Sequence, residues 1–226
     1  TNTDVYVRTR QKEFNYPQGE ANNLNTYQGN GGIQIGGFFR RLLIALDRGD
    51  IAKLPFSDDV QGDSRLLMRR NIRDRVQTLA PFLTLDTDPY IVVTTDGRLV
   101  WMIDAYTSSA SHPYSTHYRL GSQRLNYLRN SVKVAVDAYE GSVDFYVFDP
   151  QDPVLAGYRA MFPSLFKEAS AMPTELRRHV RYPELMLELQ ASVYGLYHMT
   201  TPEVFYNRED LWTVPHEVGM DADRRQ

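Results

Sequence analysis

The residues with the clearest chemical use are arginines. Arg65, Arg69 and Arg73 recur at four-residue spacing, with Arg70 beside them. On a helix, residues at i, i+4 and i+8 lie on one face. Guanidinium forks match phosphates and carboxylates, so the stripe is a candidate anion or partner face for phosphate, a lipid headgroup or an acidic sugar. The plainer reading is a solvated face paired with local acids such as Asp74, and such faces are common.

A second constellation is Asp104 and Asp137 with His112 or His117. Glycoside hydrolysis needs only two well-spaced carboxylates and leaves no short motif, so these acids are the candidates for a hydrolase. No Gly-x-Ser-x-Gly elbow and no His-Glu-x-x-His string supports that reading. His112 and His117 stand five residues apart, which is not a helical pair, and no nearby acid completes a zinc set. The chain has no cysteine, which excludes disulfides, zinc–thiolate sites and thiol nucleophiles. Gly36-Gly37 has neither the Walker pattern nor Gly-x-Gly-x-x-Gly spacing. We therefore expect no metal and no cofactor.

The chain has 226 residues and a formal net charge of −3. That charge gives no global electrostatic case for nucleic acid or an anionic membrane. The length is ample for a core, and we read residues 1–226 as a single domain. No apolar run approaches the roughly 20 residues needed to span a bilayer. The chain opens on Thr1 and closes on the charged run Asp221 to Gln226, so it reads as part of something longer.

The element that organises the rest is Asn126 to Pro150. Val132, Val134 and Val136, then Val143, Phe145 and Val147, alternate with more polar residues, which predicts two half-buried strands. A two-residue turn at Glu140-Gly141 would set Asp137 opposite Asp144 and force Glu140 to positive φ. A four-residue loop, Ala138 to Gly141, avoids both. It pairs Val136 with Val143 and Val134 with Phe145, puts Gly141 in the left-handed position and makes Asp137 a turn residue that bonds local amides.

A second hairpin spans Asp88 to Tyr106 around Asp96-Gly97. In a two-residue register Val93 faces Val100 and Val92 faces Trp101. With both faces largely apolar, this pair should lie centrally in a covered sheet. Val5 and Val7 mark an edge strand. Pro17 to Gly32 and Thr107 to Gln123 read as loops. Phe38, Phe39, Leu42, Leu43 and Leu46 recur at helical spacing before a Gly49 stop. Ser64 to Leu83 reads as a helix capped by Asp63 or Ser64, with Met68, Ile72, Val76 and Leu79 as its core stripe. Pro153, Pro173, Pro183 and Pro202 each open a helix, and Asn207 is a candidate cap for another. Leu185, Leu189, Val193 and Leu196 form the stripe of the longest. The fold class is α+β: an antiparallel sheet built from two β-hairpins, amphipathic helices packed on it and a helical C-terminal third.

The strings GGFFRRLLIALDRGD, RRNIRDRVQTLAPFLTLDTDPY, WMIDAYT, NYLRNSVKVAVDAYEGSVDFYVFDPQDP, RYPELM and YHMTTPEVFYNREDLW occur in that order. Together they resemble a bacterial family, uncharacterised protein family (UPF) number 0182, from about Val5 to Pro215. The resemblance implies a multi-pass parent protein in the cell membrane, with this chain part of its large extracytoplasmic region. It brings no catalytic residues. The expected function is an extracytoplasmic ligand- or partner-binding or assembly module, with a cell-envelope hydrolase as the alternative. Expected partners are the membrane-embedded portion of the same polypeptide, an anionic ligand on Arg65, Arg69 and Arg73, or a second copy, and no nucleic acid.

Overall fold

The computed structural model describes residues 3–19, 21–49, 54–121 and 123–215. The charged run Asp221 to Gln226 lies outside them. The chain divides into two compact units, Thr1–His179 and Val180–Gln226.

In the first unit the elements run β1 (Val5–Thr9), β2 (Glu13–Gln18), β3 (Ala21–Asn25), β4 (Ile33–Gln34), α1 (Phe38–Arg48), β5 (Val60–Leu67) and α2 (Ile72–Leu79). They continue through β6 (Thr84–Leu85), β7 (Tyr90–Val93), β8 (Leu99–Ser109), β9 (Tyr118–Leu120), β10 (Gln123–Leu125), β11 (Tyr127–Asp137) and β12 (Val143–Val147). α3 (Pro153–Met161), β13 (Phe166–Glu168) and the short α4 (Thr174–Arg177) complete it. The expected α+β class holds.

The main sheet has the order β13-β12-β11-β8-β6, with β7 also paired to β8. All pairings are antiparallel except β12 with β13. The central hairpin has the register its sequence requires: Val136 faces Val143, Val134 faces Phe145, and Gly141 takes φ 72°. Alternation then sends Val132, Val134, Val136, Phe145 and Val147 to one face. There they join Ile103 and Ala105 of β8 and pack under Val76 and Ala80 from the α2 end and Leu155 of α3. This is the main core, and Phe145→Ala here would cost about 3–5 kcal/mol.

The Asp96-Gly97 hairpin forms one residue out of the expected register. Val92 faces Val100 and Val93 faces Leu99. The Thr94 amide donates to the Arg98 carbonyl and the Gly97 amide to the Thr94 carbonyl, a three-residue loop with Gly97 left-handed at φ 80°. A one-residue slip exchanges the faces, so Ile91 and Val93 end exposed while Val92 is buried. β8 is central as expected; β7 lies at the sheet's margin.

The helix expected over Ser64 to Leu83 is two elements. Residues 60–67 are strand β5, paired with β1 and β4 in a second, three-stranded sheet. Ser64 caps nothing: it is buried, donates to the Arg8 carbonyl at 2.6 Å and accepts from the Gln61 amide. Only residues 72–79 are helical, and Asn71 is the cap, accepting from the amides of Arg73 and Asp74. Val76 is buried, whereas Leu79 is exposed. Two expected loops also hold strands, since β2 pairs with β3 and β9 with β10.

The second unit carries α5 (Glu184–Tyr197) and α6 (Pro202–Asn207). Leu185, Leu189, Val193 and Leu196 are half-buried. His198 stacks on Trp212 with ring centroids 3.8 Å apart. Asn207 caps no further helix, because Arg208 turns left-handed at φ 54° and ends α6.

Candidate functional site

A cleft of about 1060 Å³ opens between the small sheet and the turn of the central hairpin. Its cations are Lys12, Arg70, Arg73 and Arg75, and its carboxylates are Glu13, Asp137 and Glu140. Phe14, Trp101 and Tyr139 supply rings.

The carboxylates are already committed. Glu13 accepts from the amides of Arg8 and Tyr27, both at 2.8 Å. Asp137 accepts from the amides of Tyr139 (2.9 Å) and Glu140 (2.7 Å) and pairs with Arg98. This is the turn role its position predicts. Glu140 accepts from the Asn30 amide at 2.8 Å. These acids tie loops together.

The cations divide differently. Arg75 donates to the carbonyls of Met68 (2.8 Å), Arg69 (3.1 Å) and Gly141 (2.9 Å), bracing the start of α2 against the hairpin turn. Arg73 makes one long contact, 3.4 Å to the Thr87 carbonyl. Arg70 donates to the Thr3 carbonyl at 3.3 Å. Lys12, exposed on the connection between β1 and β2, has no polar partner among the described residues. The cleft thus holds one more cation than carboxylate, with spare donors on Lys12 and Arg73, an arrangement that suits an anion.

Of the three arginines singled out in the sequence, only Arg73 lines this cleft. Arg65 stands on β5, where its guanidinium donates to the carbonyls of Asn30 (2.6 Å), Gly31 (2.7 Å) and Gly32 (3.3 Å). Arg69 lies between β5 and α2 at φ 52°, and its amide donates to Asp4. The four-residue spacing shares no helix, so the stripe does not form as a helical face.

Asp104, Asp137, His112 and His117 are not brought together. Asp137 ends β11, while the His112 ring lies against Tyr127 at its start. Ten strand residues separate those ends, roughly 30 Å. His117 meets the Ala110 carbonyl through a ring nitrogen at 2.9 Å. No group of three metal-capable side chains occurs among the described residues. A Ser-x-x-Lys string does occur, Ser164 to Lys167, but it runs from a turn into β13, and Lys167 meets Asp144 at 2.6 Å.

Two buried polar clusters escaped the sequence reading. Asp104 faces Lys133 across β8 and β11, and the two pair while Asn130 donates to Asp104 at 3.2 Å. Burial raises the Asp104 carboxyl above its usual range, and the Lys133 and Asn130 bonds offset only part of that rise. Asp152 accepts from Ser131 (2.5 Å), Thr107 (2.5 Å), Tyr127 (2.6 Å) and the Val154 amide (2.9 Å), capping α3. Burial pushes its carboxyl up, but these donors outweigh it and hold the group below 3.8. The signal for Asp152 was present: an acid directly before the proline that opens a helix.

The family model described as uncharacterised protein family (UPF0182) matches residues 1–226. The chain belongs to this family. A UPF0182 protein of Pelotomaculum thermopropionicum is 50% identical over 220 residues, covering 97% of this chain and 24% of that relative. One from Sulfurovum sp. is 48% identical over 227 residues, covering 100% and 25%. One from Methanospirillum hungatei is 46% identical over 222 residues, covering 97% and 24%. This UPF0182 chain therefore spans about a quarter of the length of these relatives. No solved structure matches it.

Proposed function

We propose that this chain is an extracytoplasmic ligand-binding module of a larger membrane protein, and that its ligand is an anion held in the cleft by Arg73 and Lys12. The observation that carries this reading is the imbalance of hydrogen-bonding capacity there. Among the described residues each cleft carboxylate already accepts from a backbone amide, Asp137 also pairs with Arg98, and the cations outnumber the acids by one, while Arg73 and Lys12 retain donors. The length of the relatives supports a module within a larger polypeptide. No helix among the described residues is long and apolar enough to cross a membrane. On this reading the spans belong to the rest of the protein.

Trp101 on the cleft wall is a built-in reporter. The chain has two tryptophans, so Trp212→Phe leaves Trp101 alone. Titrating that variant with pyrophosphate, and separately with a short hexuronate oligomer, should give a saturable change in Trp101 emission. Adding Arg73→Ala should weaken the response about 10- to 100-fold, the worth of a charge-assisted hydrogen bond. A response to neither probe, or one unchanged by Arg73→Ala, would show that the cleft is not an anion site.

A further inference from the structure

α1 faces the wrong way for a helix that serves only its own core. A surface helix ordinarily turns its apolar stripe inward. Here Phe39, Leu43 and Leu46, at i, i+4 and i+7, are 80%, 68% and 54% exposed. Phe38 and Phe56 extend the patch, with the Phe38 ring 5.9 Å from Phe39 and 6.2 Å from Phe56. The inward side is Ala45 and Ile44, packed with Ile35, Leu54, Val60 and Leu66. Arg41 also turns inward, donating to the carbonyls of Ile35, Gly36 and Val60. The helix is thus anchored by its narrow side and leaves its apolar stripe unpartnered. A contiguous apolar patch of this kind marks an interaction surface.

The charges beside the stripe select the occupant. Arg40 and Asp47 are seven residues apart, two helical turns, so both flank the stripe on the same edge. When two identical helices pair antiparallel about a two-fold axis, like edges meet. An axis passing between residues 43 and 44 sets Arg40 of one copy against Asp47 of the other, twice, with Phe39, Leu43 and Leu46 in the seam. Both groups have capacity for this. Arg40 spends one nitrogen on the Gln34 carbonyl at 3.0 Å, and Asp47 is 75% exposed with Arg48 3.6 Å away. An anionic lipid surface would pair Arg40 but repel Asp47, whereas a second copy pairs both. We propose that two copies of this chain dock antiparallel through α1, an isologous interface closed by reciprocal Arg40–Asp47 pairs.

Sedimentation equilibrium of the 226-residue chain, run over a wide concentration range, tests this. A reversible monomer–dimer equilibrium is expected. Leu43→Asp should weaken it by more than about tenfold. Arg40→Asp and Asp47→Arg should each weaken it, and the double charge swap should restore it. All these positions are exposed, so thermal melts should stay close to wild type. A chain that stays monomeric, a dimer indifferent to Leu43→Asp, or a double swap no tighter than either single change would overturn the proposal. So would a monomer that binds anionic phosphatidylglycerol vesicles through Leu43, which would assign the stripe to lipid.

Discussion

Lys133 and Asp104 stand directly opposite one another on β11 and β8, and each side chain is 5% exposed. The pair sits on the side of the sheet away from the main core, beside Met102 and Ala135. Two charges taken out of water repay their desolvation only while both are present. Lys133→Met alone should therefore destabilise the fold by about 3–5 kcal/mol in a denaturant titration. The double change Lys133→Met, Asp104→Leu should recover most of that loss. Equal losses in the single and double variants would show that the pair's charge is not what matters.

Asp152 gives an acid-side prediction. Its folded pKa is depressed, so the stability it contributes is present above the ordinary value of 3.8 and is lost as pH falls through the folded value. Asp152→Asn should flatten the acid limb of the stability–pH curve. Asp152→Ala should cost about 2–4 kcal/mol at neutral pH, because it removes a helix cap and strands buried hydroxyls. Chemical denaturation at stepped pH reads both.

Tyr146 gives an alkaline one. Burial, then the Asp144 charge and hydrogen bond, push its phenol up to about 12. A raised pKa means stability that is complete below the ordinary value of 10.0 and falls as pH climbs through the folded value. Ultraviolet titration should show a late-ionising tyrosine that Tyr146→Phe removes, together with much of the stability loss between those pH values.

Gly31 packs behind the cleft, against the backbone of its lining residue Glu140. A Cβ there would lie 2.3 Å from the Glu140 carbonyl oxygen, which is backbone and cannot swing aside. Gly31→Ala should push the loop at residues 29–32 off the hairpin turn and weaken anion binding, with little change in global stability. The Trp101 titration and a melt together distinguish this from general unfolding.

The central hairpin was legible because two independent constraints, alternation and like-charge avoidance at Asp137 and Asp144, selected one register. Asp96-Gly97 offered no such second constraint, and a left-handed glycine fits a three-residue loop as well as a two-residue one. The string from Leu66 to Leu79 is rich in good helix formers. Its first part is held as strand by pairing with Val5–Thr9, a contact some sixty residues away that local propensity does not register. The same error produced an arginine stripe where the fold has one cleft residue, Arg73, and one strut, Arg65. For α1 the periodicity correctly gave a helix with an apolar face, but period alone does not say which way that face points. Lys133 against Asp104 required knowing that β11 pairs with β8, which depends on how the two hairpins lie side by side.

An anion held by Arg73 and Lys12 would be seen at once by native mass spectrometry. Spectra of the purified chain, titrated with pyrophosphate and with the hexuronate oligomer, report bound mass and stoichiometry together. One adduct per chain is expected for at least one probe, abolished in the Lys12→Ala, Arg73→Ala double variant. No adduct with either probe, or adducts equally abundant in the double variant, would contradict it.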